Sequence, residues 1–181
     1  MSGTVVRVTA GGGRPLLLRP WRAEDAAELV RVQRDDAALR HWISSAVDDE
    51  PAAARWIARQ TEGRESGGLL GFAVVAGELP EGEGELLGHI ALTGVEPGGT
   101  RAEVGYWTAA SARGQGVAPR ALTAVTEWAF GRGLTRLELV HQMDNTASCR
   151  VALKCGYEPS GVLPAAPPEF PLDGHVHVRH A

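Results

Sequence analysis

Two glycines one residue apart, Gly114 and Gly116, stand between a strand-like segment and a run with helical periodicity. In that setting the backbone can turn sharply enough for unpaired amide N–H groups to converge at a helix N-terminus, an arrangement that binds phosphates. The segment Arg113, Gly114, Gln115, Gly116, Val117 and Ala118 is therefore a candidate anion cradle. The Arg113 guanidinium offers a charge-assisted bond in addition. A lone Gly-x-Gly is more often a tight connection than a ligand site, so the motif needs support from its surroundings. It is not a P-loop, because Val117 and Ala118 follow Gly116 where Lys and Ser or Thr are required. Nor is it a dinucleotide fingerprint, since Pro119 occupies the region of the third small residue. Three further groups stand where they could move protons: Glu103, sharing a strand face with Gly105 and Trp107; His89, inside an apolar strand; and Ser148, three residues after Asn145 at a helix start.

Composition narrows the classes. A net charge of -4 argues against a dominant nucleic-acid surface and suits cationic partners. No apolar run reaches the roughly 18 to 20 residues that span a bilayer, and Gly11, Gly12 and Gly13 interrupt the N-terminus before a secretory pattern develops, so the expectation is a cytoplasmic protein without a membrane segment. Cys149 and Cys155, if on one helix, are separated by about 9 Å along its axis and should be free thiols. His175, His177 and His180 have no Cys or carboxylate set beside them in sequence, so no metal site is expected.

The elements that must position these groups follow from periodicity. At 181 residues one domain is expected, 1–181, with its core over about 16–180. Residues 4–8 alternate weakly and 16–20 read as a short strand ended by Pro20. Residues 24–34 carry helical spacing with Glu24 and Asp25 at the start, and Pro51 opens a second helix that the polar stretch 61–68 closes. Segments 69–75, 86–92 and 101–108 are strands separated by turns at 77–84 and 96–99, which favours an antiparallel meander. A helix follows Gly116 with Ala118, Ala121, Leu122, Val125 and Ala129 on one face. Residues 134–140 form a strand, Asn145 caps a helix through Cys155 that Gly156 ends, and 157–163 and 175–180 are the last strands, with 164–171 a Pro-rich loop.

That order of elements resembles the GNAT acetyltransferase fold across roughly 16–180. Within it, Ala102-Glu103-Val104-Gly105-Tyr106-Trp107, then Ala112 through Ala118, then Asn145-Thr146-Ala147-Ser148-Cys149-Arg150 on to Tyr157 are similar to the subgroup that includes ribosomal-protein N-terminal acetyltransferases. The resemblance implies an α+β fold with a mixed, mostly antiparallel central sheet flanked by about four helices. It also implies acetyl-CoA as acetyl donor, with no metal, and an amine-bearing protein, peptide or small molecule as acceptor. The pyrophosphate of coenzyme A then gives the cradle at Arg113 to Ala118 its ligand, with the macrodipole contributing roughly 0.3 to 2 kcal/mol. Neither a membrane nor a nucleic acid is an expected partner, while a homodimer is admitted.

Acyl transfer to an amine needs a neutral nitrogen, a polarised carbonyl and a thiolate that can leave. The family implies a bulge in the strand 101–108 that frees a backbone N–H for the carbonyl, and Gly105 is a suitable place for it. Glu103 is the first choice of base, with a salt bridge to a strand-facing Arg as its alternative role; His89 is the other base, with a satisfied core histidine as its alternative. Many family members place a tyrosine acid where this chain has Ala152, so Ser148 is the acid the closer subgroup offers, or else simply a hydrogen-bonding residue of the helix start. Asn145 can cap the helix and bond the pantetheine arm, and Arg150 can reach a phosphate or remain on a solvated face. Trp42, Asp48 and Asp49 form the candidate acceptor wall, with the two acids equally readable as residues of a helix start.

Overall fold

Strands form where the apolar runs were expected, and they join into one sheet. A computed structural model describes residues 5–8, 13–34, 36–43, 46–77, 84–168 and 170–181. Thr4, the glycines at 11 and 12 and most of the turn at 77–84 lie outside the described residues. The strands are β1 (Val6–Val8), β2 (Leu16–Arg19), β3 (Leu69–Ala76), β4 (Leu86–Thr93), β5 (Arg101–Thr108), β6 (Arg136–Gln142), β7 (Glu158–Leu163) and β8 (Gly174–His180), and the helices are α1 (Ala26–Arg34), α2 (Ala37–Trp42), α3 (Glu50–Ser66), α4 (Val117–Phe130) and α5 (Thr146–Lys154). The sheet order is β1-β2-β3-β4-β5-β6-β8-β7. Every neighbouring pair is antiparallel except β5 and β6, whose connection through α4 makes them parallel. The expected mixed, mostly antiparallel sheet with four substantial helices is thus present.

Helix boundaries follow their caps. Asp49 accepts the Ala52 N–H at 2.7 Å and Pro51 fits the first turn of α3, whose Ala53, Trp56, Ile57 and Gln60 are buried at helical spacing. The helix runs on through the polar stretch expected to close it and stops at Gly67, left-handed with φ +83°. The short α2 was not expected. It forms because the Asp36 side chain accepts the Leu39 N–H at 3.0 Å, a cap whose apolar run is too short to announce itself. Asn145 caps α5 by accepting the Ser148 N–H at 3.0 Å, as expected. No helix among the described residues is long and apolar enough to cross a membrane.

The sheet has helices on both faces. On the face of Trp107, the rings of Trp21, Trp56 and His89 cluster beneath α3. Tyr106, pointing the other way along the same strand, meets Ser148 of α5. The parallel pair is short. Register between β5 and β6 covers only Arg101↔Arg136, Ala102↔Leu137 and Glu103↔Glu138, although both strands continue. Beyond Glu103 they diverge, leaving a wedge in the middle of the sheet.

Candidate active site

The wedge opens at the C-terminal ends of β5 and β6, where α4 and α5 begin. Ligands of sheets with parallel strands collect at such ends, because helix N-termini point their free N–H groups there. The two helix starts differ. That of α5 is occupied by its Asn145 cap. That of α4 has no side-chain cap: its N-cap, Gly116, is left-handed with φ +74°, and the first internal bond runs from Arg120 N–H to Gly116 O at 3.3 Å. The amides of Val117 and Ala118 therefore have no intrahelical acceptor, and Pro119 has no N–H to place. Gly114 shares the left-handed conformation, and a Cβ on either glycine would meet nothing within 4 Å. Both are glycine for backbone reasons, and the space beside them is open.

Arg113 does not face that space as expected. Its guanidinium forms an ion pair with the buried carboxylate of Asp36, with a second contact from Nη1 at 3.2 Å, tying the loop before α4 to the start of α2. Gln115 donates to Ser111 O at 2.6 Å, so the cradle is left to backbone amides. Arg150 lies on the exposed face of α5, 3.5 Å from Thr146 Oγ1.

The backbone of β5 supplies the next donor without a bulge. Register with β4 is unbroken from Gly88↔Thr108 to Thr93↔Glu103, so the bulge expected near Gly105 is corrected; the irregularity in this part of the sheet lies between β3 and β4 instead. Ala109 N–H donates to Leu87 O at 2.9 Å. Alternation in an antiparallel ladder then turns the amides of residues 105 and 107 toward β4 and those of 104, 106 and 108 toward β6. Tyr106 lies three positions past the last β5–β6 pair, so its amide looks into the wedge. Splaying, and not a bulge, takes that amide out of the β5–β6 ladder.

A cavity of about 840 Å³ occupies the wedge. Its lining includes Trp56, His89 and Trp107 from one face and Tyr106, Asn145 and Ser148 from the other, so it passes through the sheet. Glu103 and Trp42 also line it, on the α1–α3 side. Asp48 and Asp49 do not. Asp48 is mostly exposed and pairs with Arg40 at 2.8 Å, and Asp49 caps α3, the helix-start role given as its alternative. Gln60, buried and lining the same side, presents an Oε1 with no hydrogen-bond partner among the described residues.

The titratable groups sort themselves by environment. Glu103 stands in register with Glu138, whose own partner is Arg136 at 2.8 Å; no ion pair to Glu103 is seen among the described residues. Partial burial of the Glu103 carboxyl, helped by the neighbouring Glu138 charge, raises its pKa above the ordinary value. His89 accepts the Trp21 indole N–H at 3.0 Å, and burial lowers it to about 4, so it is a neutral core group at pH 7 and a poor base. On the other face, Tyr106 Oη and Ser148 Oγ are 2.9 Å apart. Burial pushes Tyr106 up to about 12, keeping it a proton donor throughout the working range. Tyr106 escaped the sequence reading because its partner is 42 residues away on another element. Ala152 is fully buried, and Tyr157 is a core residue bonded to Thr126 at 2.7 Å, so neither offers an acid.

Sequence spacing also missed a neighbour of the histidines. His141, His177 and Cys149 come together, each offering a donor atom within 4.8 Å of the others. Cys149 and Cys155 are free thiols as expected.

Comparisons with known proteins identify the family of this fold. Residues 15–158 match the family model of the acetyltransferase (GNAT) domain. A stretch of 98 residues is 38% identical to the ribosomal-protein-serine acetyltransferase of Escherichia coli (strain K12), covering 54% of each protein, so the match spans about half the length of that curated relative. Among solved structures, a candidate ribosomal-protein-serine acetyltransferase from Vibrio cholerae superposes with a TM-score of 0.78 at 26% identity, covering 97% of both chains. RimJ of Mycobacterium smegmatis, in complex with CoA-disulfide, superposes with a TM-score of 0.82 at 24% identity, covering 99% of this chain and 87% of that one.

Proposed function

The chain belongs to the GNAT acetyltransferase family, and from that premise we propose that it transfers the acetyl group of acetyl-CoA directly to a primary amine, the α-amine of a protein or peptide. The observation that carries this reading is the cavity through the sheet, which lets a donor and an acceptor approach one point from opposite faces. Direct transfer needs that geometry and no covalent enzyme intermediate.

The residues fit the donor. The free amides of Val117 and Ala118 would hold the pyrophosphate, with Gly114 and Gly116 keeping side chains out of the way. Asn145 spends its carbonyl oxygen on the α5 cap, which leaves its amide N–H groups to the pantetheine arm. When bound, acetyl-CoA supplies a thioester carbonyl for the amine to attack and a thiolate to leave. The Tyr106 amide, turned into the wedge, is placed to polarise a carbonyl there. Ser148 can hand its proton to sulfur while accepting one from Tyr106, so the two hydroxyls act as a relay in place of the tyrosine that Ala152 lacks.

On the opposite face Glu103 serves as base. Its raised pKa brings it closer to the amine it must deprotonate, and water can carry the proton between them. The arithmetic favours an α-amine: neutralising an ammonium of pKa near 7.7 at pH 7 costs about 1 kcal/mol, against roughly 4 to 5 for a lysine near 10.4. The Gln60 oxygen offers an acceptor for an amine N–H, and Trp42, Trp56 and Trp107 a wall for the residue that bears it. Similarity to the Escherichia coli relative favours a ribosomal protein as acceptor, and with it a cytoplasmic site of action.

Thiol release with a panel of amines tests the reading. Peptides with a free N-terminus are expected to turn over and their N-acetylated counterparts to be inert. Turnover confined to small amines would move the acceptor class, and coenzyme A binding without turnover on any amine would overturn catalysis.

A further inference from the structure

We propose that His141, His177 and Cys149 form a binding site for a borderline-soft divalent metal ion, zinc by its donor set. The three residues come from β6, β8 and the first turn of α5. In the β6–β8 register His141 stands opposite His175 and Leu139 opposite His177, so His141 and His177 are diagonal neighbours on one sheet face. Their rings lie 5.1 Å apart at 27°, and the two Nε2 atoms approach to 3.1 Å. Cys149 completes the group, all three donor atoms lying within 4.8 Å of one another.

The hydrogen bonds on the far side of each ring decide what this contact is. His141 Nδ1 is 2.8 Å from Gln142 O, and His177 Nδ1 is 3.4 Å from Tyr157 O. A carbonyl oxygen only accepts, so the 2.8 Å contact keeps the His141 hydrogen on Nδ1 and leaves a bare lone pair at its Nε2, while the Tyr157 carbonyl at 3.4 Å orients the His177 ring without fixing its tautomer. The two Nε2 atoms face each other in the interior, with His141 7% and His177 2% exposed. A shared cation bonds both nitrogens when each ring turns a lone pair toward it. Zinc takes imidazole nitrogen at about 2.0 to 2.1 Å and thiolate at about 2.3 Å, which places tetrahedral donors about 3.3 to 3.6 Å apart. The observed separations need only small side-chain adjustment to reach that. A backbone carbonyl on the non-ligating ring nitrogen is also the usual means of orienting a metal-bound histidine.

Two histidines and a cysteine make a three-ligand site. His141 also lines the cavity, and the fourth coordination position is left to water. The site is independent of the acyl-transfer reading and is read without an activity assay.

Cobalt(II) titration followed by absorbance tests it. One equivalent of ion is expected to produce visible bands of a tetrahedral centre and a near-ultraviolet thiolate-to-cobalt charge-transfer band, both abolished by stoichiometric zinc. Cys149→Ser should remove the charge-transfer band, and Cys155→Ser, altering the thiol bonded to Pro119 O, should leave it intact. His177→Gln, checked for folding by circular dichroism, should weaken binding at least about 100-fold, since loss of even an orienting partner commonly costs 10- to 100-fold. Retention of the band in Cys149→Ser, its loss with Cys155→Ser, or an octahedral aqua-ion spectrum throughout would overturn the site. So would a nitrogen NMR signature of one proton held between the two Nε2 atoms that zinc fails to displace.

Discussion

Replacing Gly116 by glutamate separates the anion cradle from a mere turn. Gly116 has φ +74°, so any side chain there costs about 1 to 2 kcal/mol in left-handed backbone. The Cβ itself meets nothing within 4 Å, so no clash adds to that. A carboxylate at the uncapped start of α4 recovers about 0.3 to 1 kcal/mol from the macrodipole. Folding is therefore weakened by less than about 2 kcal/mol, which for a chain this size lowers Tm by less than roughly 8 °C. Binding is affected far more. A negative charge about 4 to 5 Å from a phosphate at an effective dielectric near 20 repels it by about 3 to 4 kcal/mol, two to three orders of magnitude in affinity. Calorimetric titration of folded Gly116→Glu with coenzyme A should show that loss. Gly116→Ala carries the same backbone strain without the charge, in free and bound protein alike, and should bind within about tenfold of the unaltered chain. Equal losses in the two variants would assign the effect to backbone freedom, and unchanged affinity in Gly116→Glu would remove the phosphate from this helix altogether.

Ser148→Ala should lower kcat about 100-fold or more with little change in affinity for the donor, whereas Tyr106→Phe, which leaves the serine hydroxyl in place, should cost only about 2- to 10-fold; steady-state kinetics with both variants checks the order of the relay. Because the folded protein raises the Glu103 pKa, the acid limb of the kcat/KM profile should lie above the ordinary carboxylate range and vanish in Glu103→Gln, with the residual rate flat over that range. The same shift carries a sign for stability: folding favours the protonated form, so a contribution present below the unfolded pKa is lost as pH rises through the folded one. Glu103→Gln should accordingly raise Tm at pH 7, by a margin that shrinks toward pH 4. Asp36→Ala removes both the α2 cap and the partner of Arg113, and should lower Tm by roughly 2 to 8 °C, with Asp36→Asn retaining the cap and losing less.

Local signals were legible in the sequence and distant ones were not. Pro51, Gly116 and Asn145 mark helix starts through their own backbone or side-chain chemistry, and each does so in the structure. Alternation along Arg101–Thr108 put Glu103 on one strand face with Gly105 and Trp107, and in the structure that face lies opposite the one from which Tyr106 reaches Ser148. Asp36 looked like an ordinary loop acid because its Arg113 partner is 77 residues away. The pairing of Tyr106 with Ser148 and the meeting of His141, His177 and Cys149 likewise depend on how β5, β6, β8 and α5 assemble. The wedge itself has no residue signature. It arises because β5 and β6 pair over three positions and then diverge, a property of sheet geometry that no single side chain encodes. Asp48 and Asp49 show the converse, since residues with suitable chemistry were drawn into a surface ion pair and a helix cap.

The central claim is acetyl transfer to an α-amine across the sheet, and mass spectrometry of one peptide tests it directly. A peptide carrying a free α-amine and an internal lysine, incubated with the protein and acetyl-CoA, should gain a single acetyl group at its N-terminus at a rate matching thiol release. Acetylation of the lysine alone, or thiol release with no acetylated peptide, would contradict it.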